Sequence, residues 1–435
     1  MGYLIHGAMV LSAQAPYSFS QKDVLVSDAG LIENVAPSIS PPSSCGQIDA
    51  SGHVLLPGLV NAHTHAAMSL LRGVGDDLHL NEWLQKDVWP REKRMDEKTI
   101  ETGTKLALCE MVRSGITCFN DMYFHMDAAA RAVQQSGMRA VLGYGMIDMG
   151  DFGGKGRKEL AIAGKFAEKI SRQNNPLITS SICPHATHTC SAELLQESAK
   201  LARKLKLPLH IHAAETRKET ADVLAKTKKE SGRALRPIEF LDSCGCLSSR
   251  TILAHGVYAS KSEVLLMARR SSSLAHCPVS NLKLAGGGAA PVPEYAQAGV
   301  NLSIGTDGAA SNNSLNLFES MKAGAIEQKN FRFDAAAVKA DDYLRMGTEG
   351  GAKALGIKTG KIGKGYLADI VLLDAKSPNL VPFTNNAGWL VYAAGPQNVT
   401  DVMANGKWLM RGRKLLTLDE EKIIESAQKA ADRLG

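Results

Sequence analysis

Residues 58–65 read Gly-Leu-Val-Asn-Ala-His-Thr-His and close an apolar run that begins at Val54. Side chains in a strand alternate with period two, so His63 and His65 share one face of a strand end and Thr64 between them faces away. Two neutral imidazoles side by side are half of a metal site. An HxH pair taken alone is ordinarily a loop pair or a satisfied core pair, so its meaning rests on the remainder of the chain.

Beyond this stretch the texture is one of apolar runs alternating with amphipathic segments, the pattern of βα units on a parallel sheet. Eight runs can be counted, at 54–65, 116–121, 139–145, 177–185, 207–212, 251–255, 273–277 and 300–307. Helical stretches at 97–113, 192–206 and 261–270 lie between them, and Gly115, Gly137 and Gly299 supply stop signals. The spacing predicts an α/β fold, a (β/α)8 TIM barrel over 57–360. An open doubly wound sheet is the rival, but no run is followed by the GxGxxG turn expected of it.

Both ends of the chain have a different texture. Short strands are predicted at 3–11, 23–26 and 31–35, with a Pro- and Ser-rich loop at 37–46. They return at 369–374, 399–404 and 407–411, where Asn405-Gly406 forms a hairpin turn, and a last helix follows at 419–433. Segments 1–56 and 361–435 are therefore expected to pair into a small composite β-sandwich domain.

With 435 residues, 44% hydrophobic and 22% charged, the chain has the composition of a soluble globular protein. Its +6 net charge is dispersed and asks for no nucleic acid. The eight cysteines include no CxxC pair, which points to reduced thiols. No uncharged apolar run approaches the ~20 residues of a membrane span, and the first residues lack a signal-peptide pattern. A cytoplasmic location and no membrane partner are the expectations.

The placement of the twelve histidines carries the functional argument. His63, His65, His185, His212 and His255 fall at the ends of predicted barrel strands, as does Asp307, and barrel enzymes keep their sites there. Packing explains titratable groups at five such ends poorly. His63, His65, His212 and Asp307 make an N3O set with room for water, which suits one divalent ion, zinc foremost, while Fe(II) accepts the same donors.

Glu215, three residues past His212, is placed to shuttle protons, although a Glu opening a helix is equally a favourable charge at its N-terminus. His255 is expected to hold water, with a core histidine as the plain alternative. His210 and His276 read as structural, and His6, His53, His79, His125 and His188 as surface or packing residues. The fourth run ends Ile-Cys-Pro-His without a lysine to bridge two ions, so one metal is expected. The HxE and PCxxC pattern of cytidine-type zinc deaminases is absent.

These stretches match a family as a set. Residues 57–65, His212 with Glu215, Ala254-His255, residues 276–284 (His-Cys-Pro-Val-Ser-Asn-Leu-Lys-Leu) and residues 305–318 (Gly-Thr-Asp-Gly-Ala-Ala-Ser-Asn-Asn-Ser-Leu-Asn-Leu-Phe) resemble the amidohydrolase superfamily. Within it they are similar to deaminases of 5′-methylthioadenosine, S-adenosylhomocysteine and 5′-deoxyadenosine, over about residues 1–420. The resemblance implies metal binding by His63, His65, His212 and Asp307. It further implies that Glu92 accepts the ribose hydroxyls, His185 faces the sugar and Trp83 packs on the 5′ substituent. Where members that bind the homocysteine carboxylate well carry an arginine after the third strand, this chain has Tyr144, as in the archaeal 5′-deoxyadenosine deaminases. Arg157 downstream is the candidate replacement. A homo-oligomer is expected by analogy alone.

The expected reaction is hydrolytic deamination of the adenine ring of a small-molecule nucleoside, with Glu215, His255 and Asp307 catalytic. The alternatives are amino- or chlorohydrolysis of s-triazines, deamination of free guanine or cytosine, and a catalytically silent metal-binding barrel.

Overall fold

The computed structural model describes residues 2–42, 45–78 and 80–435; His79 lies outside them. Five strands open the chain: β1 (Tyr3–Leu11), β2 (Phe19–Val26), β3 (Ile32–Ala36), β4 (Gly46–Asp49) and β5 (His53–Pro57). The barrel follows as β6 (Leu59–Thr64), β7 (Ile116–Tyr123), β8 (Arg139–Met146), β9 (Ile178–Ser180), β10 (Cys183–Pro184), β11 (Leu209–Ala213), β12 (Thr251–His255), β13 (Ser273–His276) and β14 (Asn301–Ile304). The last strands are β15 (Ile370–Asp374), β16 (Val399–Ala404), β17 (Lys407–Arg411) and β18 (Lys414–Leu415).

The barrel strands are parallel and almost wholly buried, so they read as continuous apolar runs, not as alternating ones. They form two arcs, β6 to β10 and β11 to β14. One seam is closed by His210 N and His212 N, which donate to Ile182 O and His185 O at 3.0 Å. Across the other, Asp307 N donates to His63 O at 3.1 Å, and Asn61 pairs with Thr306 through both its amide atoms. Gly305 is required at this seam, because a Cβ there would lie 2.7 Å from His63 O.

Several runs are shorter than the sequence suggests; the first divides at Gly58, β5 joining the terminal sheet and only β6 the barrel. The fourth splits into β9 and β10, both paired with β8, as it steps over Gly143, where a Cβ would lie 2.0 Å from Cys183 Sγ. The eighth ends at Ile304, since Asp307 takes a left-handed φ of 61° that no ladder accommodates. The helices Glu97–Arg113 and Lys261–Arg270 have the expected bounds. Ala192–Leu205 stops one residue early, with Lys206 as its left-handed cap. Asp96, Ser191 and Ser260 accept from the N3 amides of these three helices, satisfying donors that the first turn leaves free.

The terminal strands join edge to edge in one nine-stranded sheet, ordered β18-β17-β16-β15-β5-β1-β2-β3 with β4 also on β1. Ile5, Val24, Ile32, Leu55, Ile370 and Met403 form a core of their own beneath it. β2 begins at Phe19, four residues before the predicted start, because Phe19 is buried against the rings of Phe383 and Trp389. Asn405 and Gly406, both at positive φ, make the turn between β16 and β17. The sheet is fastened to the barrel by the buried ion pair of Arg139 and Asp369 at 3.2 Å, and Asp369 also accepts from Asn405 N. The final helix, Glu420–Leu434, is tied to Glu97–Arg113 by a two-pronged Arg113–Glu420 pair. Among the described residues no helix is long and apolar enough to cross a membrane. All eight cysteines are free thiols, seven of them buried.

Candidate active site

At the C-terminal ends of the barrel strands four imidazoles meet one carboxylate. His65 Nε2 lies 3.2 Å from His212 Nε2 and 3.3 Å from Asp307 Oδ1, and His63 Nε2 is 3.4 Å from the same oxygen. Donor atoms of His63, His65 and His212, and again of His63, His255 and Asp307, lie within 4.8 Å of one another.

The opposite edge of every ring is engaged. His65 Nδ1 donates to Met122 O and His212 Nδ1 to His185 O, both at 2.6 Å; His255 Nδ1 donates to Asn281 Oδ1 at 2.9 Å. His63 Nδ1 is 2.8 Å from His210 Nε2. With Nδ1 as the protonated nitrogen, each ring turns an Nε2 lone pair inward. Buried lone pairs at this spacing repel unless a cation lies among them, and His63 Nε2 is buried without a hydrogen-bond partner. The donor set therefore fits a divalent ion with nitrogen and oxygen ligands.

Electrostatics agree with neutral imidazoles at His63 and His212. Burial pushes His63 down to about 4 and His212 well below its ordinary value. Burial alone would raise Asp307, but the adjoining rings of His63, His65 and His255 hold it well below the carboxylate range. Burial would lower His255, yet the carboxylates of Glu215 and Asp307 raise it. Asp307 and His255 both sit at positive φ, 61° and 74°. Strain in non-glycine residues costs on the order of 1–3 kcal/mol and is held only where surroundings over-determine it. For Asp307 those surroundings are Ser280 and Ser311, whose hydroxyls donate to Oδ2 at 2.6 and 2.9 Å. Thr64 does turn from the histidine pair, and its hydroxyl donates to Asp307 O.

Glu215 follows β11 and places Oε1 3.8 Å from His255 Nε2. Burial raises its pKa, partly offset by His255. Its backbone amide is pinned by buried Glu219 at 2.7 Å, which also accepts from Ala214 N and Thr187. Glu215, Asn281 and Leu284 line a small pocket beside the histidines.

The remaining sequence candidates lie around this centre at differing removes. Glu92 is half-buried, and its Oε1 accepts from Tyr123 Oη at 2.6 Å; burial raises its pKa. The Tyr123 ring is 6.2 Å from that of His65. His185 stacks obliquely 4.8 Å from His212, and burial lowers it to about 3. Tyr144 stands at the end of β8, level with Tyr123, with Glu159 beside it; burial foremost, then Glu159, pushes its phenol up to about 12. Arg157 is exposed and rests on the Phe152 ring at 5.7 Å, without touching the imidazole cluster. Trp83 is buried, its Nε1 donating to Val74 O.

His276 ends β13 and faces Glu327 at 3.5 Å in the helix layer, away from the cluster. His210, read as structural, shares the face of His212 through the period of two on β11 and sets its Nε2 against His63 Nδ1. Ser280, Asn281 and Tyr123 were also unassigned from sequence, although 280 and 281 lie inside the motif 276–284.

The profile of the amidohydrolase family matches residues 54–409. A 5′-deoxyadenosine deaminase of Methanosphaera stadtmanae is 43% identical over 93% of both chains. A 5-methylthioadenosine/S-adenosylhomocysteine deaminase of Pyrococcus furiosus is 40% identical over 96% of this chain and 97% of its own. The crystal structure of an adenosine deaminase from Xanthomonas campestris with bound zinc superposes with a TM-score of 0.92 at 36% identity, covering 99% and 98% of the two chains. The chain belongs to the amidohydrolase family.

Proposed function

We propose that this protein is a metal-dependent aminohydrolase that converts 5′-modified adenosines to their inosine analogues and ammonia. The substrates in this reading are 5′-deoxyadenosine, 5′-methylthioadenosine, adenosine and S-adenosylhomocysteine. The observation that carries it is the convergence of inward Nε2 atoms on Asp307, with Glu215 and His255 alongside, in a chain 40 and 43% identical to two deaminases of that class. The s-triazine, free-base and silent-barrel alternatives draw no support from those relatives.

His63, His65, His212 and Asp307 would hold one ion, zinc by donor type and by the zinc of the Xanthomonas enzyme, with Fe(II) compatible. When bound, such an ion lowers the pKa of water toward about 7. His255, fixed by Asn281, and Asp307, fixed by Ser280, orient the attacking water toward carbon 6 of the adenine ring. Glu215 takes a proton from that water and delivers it to ring nitrogen 1 as the new C–O bond forms. It then passes the second proton to the amino group; the C–N bond breaks, ammonia leaves, and the ring retains a carbonyl.

Glu92, oriented by Tyr123, receives the ribose hydroxyls and His185 faces the sugar, while Trp83 borders the 5′ end through the loop it holds. Tyr144 beside Glu159 offers a carboxylate where a homocysteine tail would bring another, so uncharged 5′ groups are preferred, with exposed Arg157 a weak counterweight. A homo-oligomer and a cytoplasmic location complete the reading by analogy. Ammonia release across these nucleosides, free guanine, free cytosine and an aminated s-triazine tests it: turnover confined to nucleosides is expected, and faster turnover of a free base or triazine would refute it.

A further inference from the structure

At the opposite end of the barrel, below the N-terminal end of β14, lies a cavity of about 560 Å³. Its walls carry Arg345, Lys353, Lys358 and Lys361 against a single carboxylate, Glu349. Glu349 is taken by Lys361 at 2.5 Å, and Arg345 leans on Asp342 at 3.3 Å. Lys353 and Lys358 have no carboxylate within ion-pair distance among the described residues, and Lys358 Nζ hovers 5.7 Å from the Tyr366 ring.

Together these features describe a site of excess positive charge with an aromatic ring in a cavity of ligand size. From this geometry we infer that the cavity binds a small phosphate-bearing molecule, a nucleoside monophosphate by size. The phosphate is received by Lys353 and Lys358, and the base lies along Tyr366. Arg345 and Lys361, already paired, complete the field. The cavity is separated from the catalytic end by the length of β14, so its ligand is not the nucleoside being deaminated.

The test is calorimetric titration of the metal-loaded full chain with GMP, inorganic phosphate and guanosine, GMP being chosen because it carries no adenine for the catalytic end. GMP is expected to bind saturably and more tightly than phosphate, and guanosine to give no binding. A Lys353→Ala/Lys358→Ala variant should weaken GMP at least ~10-fold, with ammonia release in the absence of GMP unchanged. Absence of saturable GMP binding to the parent protein, or equal binding by the double variant, would overturn the proposal.

Discussion

His63 Nδ1 lies 2.8 Å from His210 Nε2, both rings fully buried. This contact fixes which edge of His63 faces the centre, since His210 accepts and leaves the His63 Nε2 lone pair directed inward. His210→Phe keeps the ring volume but removes the acceptor. It should weaken metal affinity on the order of 10- to 100-fold, the usual effect of removing a partner behind a ligand. Competition with a chelator of known affinity measures this; unchanged affinity would return His210 to a packing role.

Glu215→Gln removes the proton carrier without changing shape. Metal content and nucleoside binding should persist while kcat falls on the order of 10²- to 10⁴-fold. Because burial raises the Glu215 pKa, and the unprotonated form must accept the first proton, wild-type kcat/KM should decline on the acid side at a pH above the ordinary glutamate range. Near-normal turnover by the variant would remove Glu215 from the mechanism.

Glu92→Ala separates the sugar from the base. Loss of a carboxylate that receives two hydroxyls costs roughly 1.5–3 kcal/mol per hydrogen bond, so inhibition constants for nucleosides should rise much more than that for free adenine. Equal losses would place Glu92 away from the ribose. Tyr123→Phe, which frees Glu92 from its donor, should give a milder change in the same direction.

Glu159→Gln tests the choice of 5′ substituent. Removing the negative charge beside Tyr144 should raise kcat/KM for S-adenosylhomocysteine several-fold, about 1 kcal/mol for a charge pair in a water-like dielectric, and leave 5′-deoxyadenosine unchanged. A parallel change for both substrates would mean that the pair lies outside the 5′ pocket.

The barrel and its metal donors were legible because both rest on local rules. Apolar runs with helical spacers give βα units, and polar side chains at the ends of such runs have no packing reason to be there. Less legible were the groups that act from behind. Ser280 and Asn281 belong to a short helix, Pro278–Lys283, and only the closure of the barrel brings that helix under Asp307 and His255. His210 carried a usable signal, two residues before His212 on one strand, but its partner His63 is 147 residues away and no spacing reveals that meeting. Tyr144 was singled out by resemblance alone, whereas Glu159 beside it depends on how the following helix folds back onto β8. The cavity beneath β14 left no mark in sequence, since Lys353 belongs to the short helix Gly351–Leu355 and Lys358 and Lys361 to the loop after it, with no run or motif among them.

In the proposed function one divalent ion, held by His63, His65, His212 and Asp307, makes this chain a nucleoside deaminase. Its most direct measurement is ammonia release from 5′-deoxyadenosine by chelator-treated protein titrated with zinc, metal content being determined in the same samples. Activity should be lost on chelation and rise linearly to a plateau at one ion per chain. Full activity in metal-free protein, or no ammonia release at one bound ion per chain, would contradict it.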